Sequence, residues 1–116
     1  MRTQIVFIKN INREITFHIG KNQYENFDVI DTGNSHDLWF HAKNRPSCHV
    51  VCEVPPGIQK KELSYIITRG ALLCKQNTNK LKTEKHVEFI YTECKNVEKT
   101  DISGSVITKV YKTIIV

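Results

Sequence analysis

No apolar run in the 116-residue chain approaches the roughly 20 residues that a membrane-spanning helix needs. The first apolar stretch, Ile5-Val6-Phe7-Ile8, is too short for a secretory leader, whose core takes about 7–15 residues. No membrane partner is expected, and a cytoplasmic location is the default. Cysteine is sparse: Cys48, Cys52, Cys74 and Cys94 include no Cys-x-x-Cys pair, so the spacing gives a zinc site little support and buried, reduced thiols are expected. No cofactor or metal is expected. There is no Gly-x-Ser-x-Gly elbow and no His-Glu-x-x-His. Gly20-Lys21-Asn22 lacks both the spaced first glycine and the Lys-Ser/Thr pair of a phosphate-binding P-loop. Cys48 and His49 stand side by side, but neighbours on a strand face opposite ways and make a poor nucleophile–base pair. An enzyme would need Cys48, His49 and His41; the expectation is a protein that is not an enzyme.

What is present fits one domain over residues 1–116, with no repeat, linker or low-complexity segment. The formal net charge is +5, a bias toward anionic partners that does not choose among RNA, DNA and an acidic surface. The most informative stretch is Asp37-Leu38-Trp39-Phe40-His41-Ala42-Lys43, followed by Arg45-Pro46-Ser47-Cys48-His49-Val50. It holds the one tryptophan. Read as a strand, Leu38, Phe40 and Ala42 share one side, while Asp37, Trp39, His41 and Lys43 share the other. A ring among ionisable groups can stack a base and hold a phosphate. It can equally be packing, with Asp37 accepting a backbone bond and His41 a satisfied core histidine. The next strand runs from about Cys48 to Val54. A five-residue loop at 44–48 puts His49, Val51 and Glu53 on the face of Trp39; an even loop puts Cys48, Val50 and Cys52 there. The odd loop is preferred.

Elsewhere the pattern predicts a hairpin of residues 4–8 and 14–19, with His18 on its solvent side. Asn22 caps a short helix from about Tyr24 to Ile30, with Tyr24, Phe27 and Ile30 on one side of it. The free N–H groups at its start, beside Lys21 and Asn22, suit an anion. A long helix from about Lys60 to Gln76 carries the stripe Leu63, Ile66, Ile67, Gly70, Ala71 and Cys74, with Gly70 permitting close approach to a strand. A basic loop holds Lys80 and Lys82. Strands follow at about Val87–Glu93 and Ser105–Val116, the latter ending in a strand pair around 106–110 and 113–116. The expected fold is α+β: a mostly antiparallel sheet with one long and one short helix, both packed on one side.

Several of these segments resemble, in order, the NFACT-R domain, the RNA-binding module of the NFACT proteins of ribosome quality control. Gly20-Lys21-Asn22-x-x-x-Asn26 is similar to the family's Gly-(Lys/Arg)-Asn-x-x-x-Asn. Asp37 to Lys43 fits Asp-(Ile/Leu)-Trp-Phe-His-x-(Lys/Arg) at every position, and Pro46-Ser47-Cys48-His49-Val50 stands where the family has Pro-Gly-Ser-His-Val. Tyr91-Thr92, Val97-Glu98-Lys99, Gly104-Ser105-Val106 and Lys112 to Val116 follow the closing strands. The chain departs from the family at Ser47 for glycine, Cys48 for serine and Glu98 for a common lysine. A glycine that needs positive φ would leave Ser47 strained or the turn reshaped. The resemblance implies a stand-alone, non-enzymatic module for structured RNA such as tRNA or rRNA. The ribosome, DNA, and a protein partner docking on an exposed aromatic and basic tip stay open as alternatives. Lys21, Asn22, Asn26, Asp37, Trp39, His41, Lys43, Arg45, His49, Lys80 and Lys82 are the candidate contacts.

Overall fold

The computed structural model describes residues 1–116. Strand β1 (Arg2–Ile8) pairs antiparallel with β2 (Arg13–Gly20) through a turn at Lys9–Ile11. Asn12 closes that turn at φ 51°, a left-handed conformation that asparagine tolerates. Helix α1 (Gln23–Asp31), strands β3 (Leu38–Ala42) and β4 (His49–Cys52), and helix α2 (Lys60–Gln76) follow. The chain closes with β5 (Glu88–Glu93), β6 (Val97–Lys99), β7 (Val106–Thr108) and β8 (Lys112–Ile115). The main sheet is antiparallel in the order β1-β2-β4-β3-β5-β8, and β6 and β7 form a separate ribbon. This is the expected α+β class. No helix is long and apolar enough to cross a membrane.

The β3–β4 register joins Leu38 to Cys52, Trp39 to Val51 and Phe40 to Val50. That is the odd-loop register, and it sets His41 and His49 on the side of Trp39. Alternation then divides the core. Leu38, Phe40, Ala42, Val50 and Cys52 join Phe17, Ile19 and Phe89 beneath α2. Trp39 and Val51 instead join Val29 of α1 and Cys94. The two helices therefore cover opposite faces, correcting the expectation that both lie on one side. The reason lies in the strands: both faces of β3 and β4 carry large apolar groups, and each such face must be covered.

Helix α2 begins where expected. The Gln59 N–H donates to Glu62 Oε1 at 3.0 Å, satisfying one of the donors left free at a helix start. Its buried stripe is Ile66, Gly70, Ala71, Leu73 and Cys74. A Cβ on Gly70 would lie 2.3 Å from Phe40 Cζ, so only glycine lets the helix rest on that ring. Each fully buried phenylalanine on this face contributes about 1.5–3 kcal/mol through removal from water.

Three further expectations are corrected. On α1 the buried residues are Asn26 and Val29, and Tyr24 is 67% exposed, because the helix turns the side of Val29 toward Trp39. The last two strands do not pair with each other: β7 joins β6, and β8 joins β5. Ser47 has no positive φ; the left-handed residue of the turn is Asn44, at φ 57°. The Ser47 hydroxyl accepts from the Ala42 N–H at 3.0 Å and donates to the Cys48 carbonyl at 2.8 Å. The turn is thus built around that hydroxyl rather than strained by it.

Candidate nucleic-acid interface

A cleft of about 610 Å³ opens on the α1 side of the sheet. Trp39, His41, His49 and Ile90 form its floor. The β6–β7 ribbon, with Gly104 and Ser105 at its tip and Val106 and Thr108 along β7, makes one wall, and the 43–47 turn supplies Asn44, Arg45 and Pro46 to the other. Gly104 holds the first wall in place: at φ 80° it lies so close to α1 that a Cβ would stand 2.7 Å from Gln23 Cα.

The floor is a fixed set of rings. Trp39 Nε1–H donates to His49 Nδ1 at 3.0 Å. Trp39 stacks parallel on His41 with centroids 5.8 Å apart, and His41 meets His49 edge-on at 4.8 Å. His41 Nδ1 lies 2.7 Å from the Ala42 carbonyl, which only accepts, so that nitrogen carries the proton. His49 Nδ1 accepts from the indole and therefore carries none. Burial lowers the pKa of both imidazoles, that of His49 to about 3, with the neighbouring His41 adding to the effect there. Both rings are neutral at physiological pH.

Trp39 is only 1% exposed. It cannot stack a base, which corrects that reading; it serves as packing, and its N–H fixes the orientation of His49. The same burial removes the exposed aromatic that protein docking at this tip would use. Asp37 is also buried, at the opposite end of β3 from the turn. It accepts from the Asn34 N–H at 2.8 Å and the Val54 N–H at 2.9 Å, so it ties loops together, and it does not line the cleft over His41 and His49. Asn22 is committed as the α1 cap, accepting from the Tyr24 and Glu25 N–H groups at 3.0 and 2.9 Å. Asn26 is buried, and its Oδ1 has no hydrogen-bond partner. His18 is a strand-side residue held between Thr3 and Glu53, away from this cleft.

The cations gather from three segments. Gly20 pairs with His49, which brings Lys21 to the turn end of the sheet. The Cys48 N–H donates to Thr78 Oγ1 at 3.0 Å, and Arg45 bonds Glu84, which together dock the loop carrying Lys80 and Lys82 against the same end. Arg45 is held by Glu84 at 2.6 Å, and Lys43 lies 3.8 Å from Glu88. Lys21, Lys80 and Lys82 are exposed and make no ion pair. Sequence reasoning missed the cleft wall and floor at Asn44, Ile90, Ser105 and Thr108. The one signal for them was the Gly104-Ser105-Val106 segment, legible only as part of a family pattern.

An antiparallel sheet with a helix on each face, unpaired lysines at one end and a cleft on the α1 side defines a small α+β module. The chain belongs to the NFACT protein RNA-binding domain family, which it matches over residues 4–110, and is an RNA-binding module of that family. It is 30% identical to the coiled-coil domain-containing protein 25 homolog of Dictyostelium discoideum over 97 residues, 83% of this chain and 47% of that protein. It is 31% identical to coiled-coil domain-containing protein 25 of Mus musculus over 86 residues, 73% of this chain and 41% of that one. The chain thus spans less than half the length of these relatives. The C-terminal part of the fibronectin/fibrinogen-binding protein from Streptococcus suis shares the fold, with a TM-score of 0.80 over all of this chain and 45% of that one, at 23% identity.

Proposed function

We propose that this module binds structured RNA of the tRNA or rRNA kind, as a non-enzymatic component of translation or ribosome quality control in the cytoplasm, and meets it with the turn end of the sheet. Lys21, Lys80 and Lys82 take phosphates, with Lys43 and Arg45 beside them. The cleft over His41 and His49 accepts a nucleotide, with His41, Asn44, Ser105 and Thr108 as its polar contacts. The observation that supports this reading is that Lys21 and the loop with Lys80 and Lys82, none of them in an ion pair, come from distant segments to the turn end of the sheet. Phosphate contacts fix orientation and supply most of the affinity, while polar groups in a cleft read the base.

Fluorescence anisotropy with labelled tRNA at stepped salt tests it. Three neutralised phosphates give a slope of log affinity against log salt of about −2. The Lys21→Ala/Lys80→Ala/Lys82→Ala protein should lose most of that slope while unfolding at the parent's denaturant midpoint. A slope unaltered by the triple substitution would remove this end as the RNA face. A DNA oligonucleotide of matching sequence, run as a competitor, separates RNA from DNA.

A further inference from the structure

Two of the three cysteines on the α2 face, Cys48 and Cys74, lie against each other. Cys48 Sγ and Cys74 Sγ are 3.6 Å apart. Each sulfur also sits on the other residue's carbonyl, Cys48 Sγ at 3.3 Å from Cys74 O and Cys74 Sγ at 3.2 Å from Cys48 O. Both residues are buried, at 4% and 0% exposure, so only a small reagent reaches them. Cys52 and Cys94 offer no such pair, since they lie on opposite faces of the sheet.

We propose that Cys48 and Cys74 form a hydroperoxide-reactive thiol pair that closes to an intramolecular disulfide, fastening the start of β4 to the end of α2. A disulfide needs its sulfurs about 2.0 Å apart, and rotation of the two side chains supplies the remaining approach. The two thiols are unlike. A hydrogen bond with Cys74, helped by Thr78 and the charge of Lys21, holds the Cys48 thiol below its ordinary pKa. Burial pushes that of Cys74 well up. Cys48 therefore attacks and Cys74 resolves. The Cys48 thiolate takes one oxygen of hydrogen peroxide, the O–O bond breaks, hydroxide leaves, and Cys48 becomes a sulfenic acid. The Cys74 sulfur then attacks the Cys48 sulfur. The S–O bond breaks, the S–S bond forms, and the thiol proton leaves with that oxygen as water. Two thiols lose two electrons to one peroxide, which ends as two waters.

The test treats the purified chain with hydrogen peroxide, removes the excess, blocks free thiols and maps the peptides by mass. The expected result is two unblocked cysteines, a mass lower by about 2 Da before blocking, and a linked peptide joining Cys48 to Cys74 that dithiothreitol separates. The Cys52→Ser/Cys94→Ser protein should behave in the same way. The Cys74→Ser protein should stop at a sulfenic acid on Cys48 that dimedone traps. Should that variant not fold, the peptide map of the unaltered chain decides alone. Four blockable thiols after treatment, a link between other cysteines or between two chains, or a sulfinic acid on Cys48 of the unaltered chain would each overturn the proposal.

Discussion

The two faces of the sheet are built to different rules, although the same strands make both. The face under α2 is apolar throughout: Phe17, Phe40 and Phe89 pack around a helix that Gly70 lets settle on the Phe40 ring. The face under α1 mixes Val29 and Val51 with an indole and two imidazoles, and the β6–β7 ribbon leaves part of it open as a cleft. Residues of one parity in β3 build the interior that holds the domain together. Residues of the other parity build a polar floor whose hydrogen bonds fix two neutral histidines. What the contrast teaches is that the indole is part of the second face's scaffold rather than its binding surface.

The largest effect should come from breaking the first face. Gly70→Leu drives a side chain into the Phe40 ring, and the cost of overpacking should reach about 3 kcal/mol in urea unfolding. A stability close to the parent's would mean that α2 can lift from the sheet. Next is Trp39→Phe, which keeps a ring but leaves His49 Nδ1 without its donor. A loss of about 1–3 kcal/mol is expected, with RNA affinity reduced because His49 is no longer oriented. Third is pH. The folded chain keeps His49 neutral down to about 3, whereas the unfolded chain takes up a proton near 6.5. Stability conferred by the neutral ring is full above 6.5 and declines as pH falls toward 3, by at most about 1.4 kcal/mol per pH unit. Denaturant midpoints between pH 7 and 5 should show this decline, and the His49→Asn protein should show less of it. The smallest effect on folding should be that of Glu84→Gln. It releases exposed Arg45 and removes an anion from the proposed RNA face, so affinity for tRNA should rise at low salt while the unfolding midpoint stays where it was.

Much of this was legible in the chain. The Asn22 cap, the span of α2, the close approach at Gly70 and the odd-loop register of β3 and β4 all follow from local rules of capping and alternation. The placement of α1 was not, because its stripe is short and an exposed Tyr24 imitates a core position. Nor was the burial of Trp39. The groups that cover it, Val29, Cys94 and the ribbon residue Val106, come from distant parts of the chain, and periodicity within a strand says nothing about them. The closing segments looked like one hairpin because both are β-branched; which strand each joins is decided by β5 and β6, not by their own sequence. At the candidate site, charge and ring content were visible, but ion pairing was not. Only the fold separates Lys21, Lys80 and Lys82 from Arg45 and Lys43, which have carboxylate neighbours.

Because Trp39 is the single tryptophan and rests against His41 and His49, the protein carries its own optical gauge of this face. Indole emission is quenched by a protonated imidazole at contact and shifts to longer wavelength when water arrives. Its colour and brightness therefore report when the cover of α1 and the ribbon over this face loosens and water reaches the ring, with no label attached and no second emitter of its kind to confuse the signal.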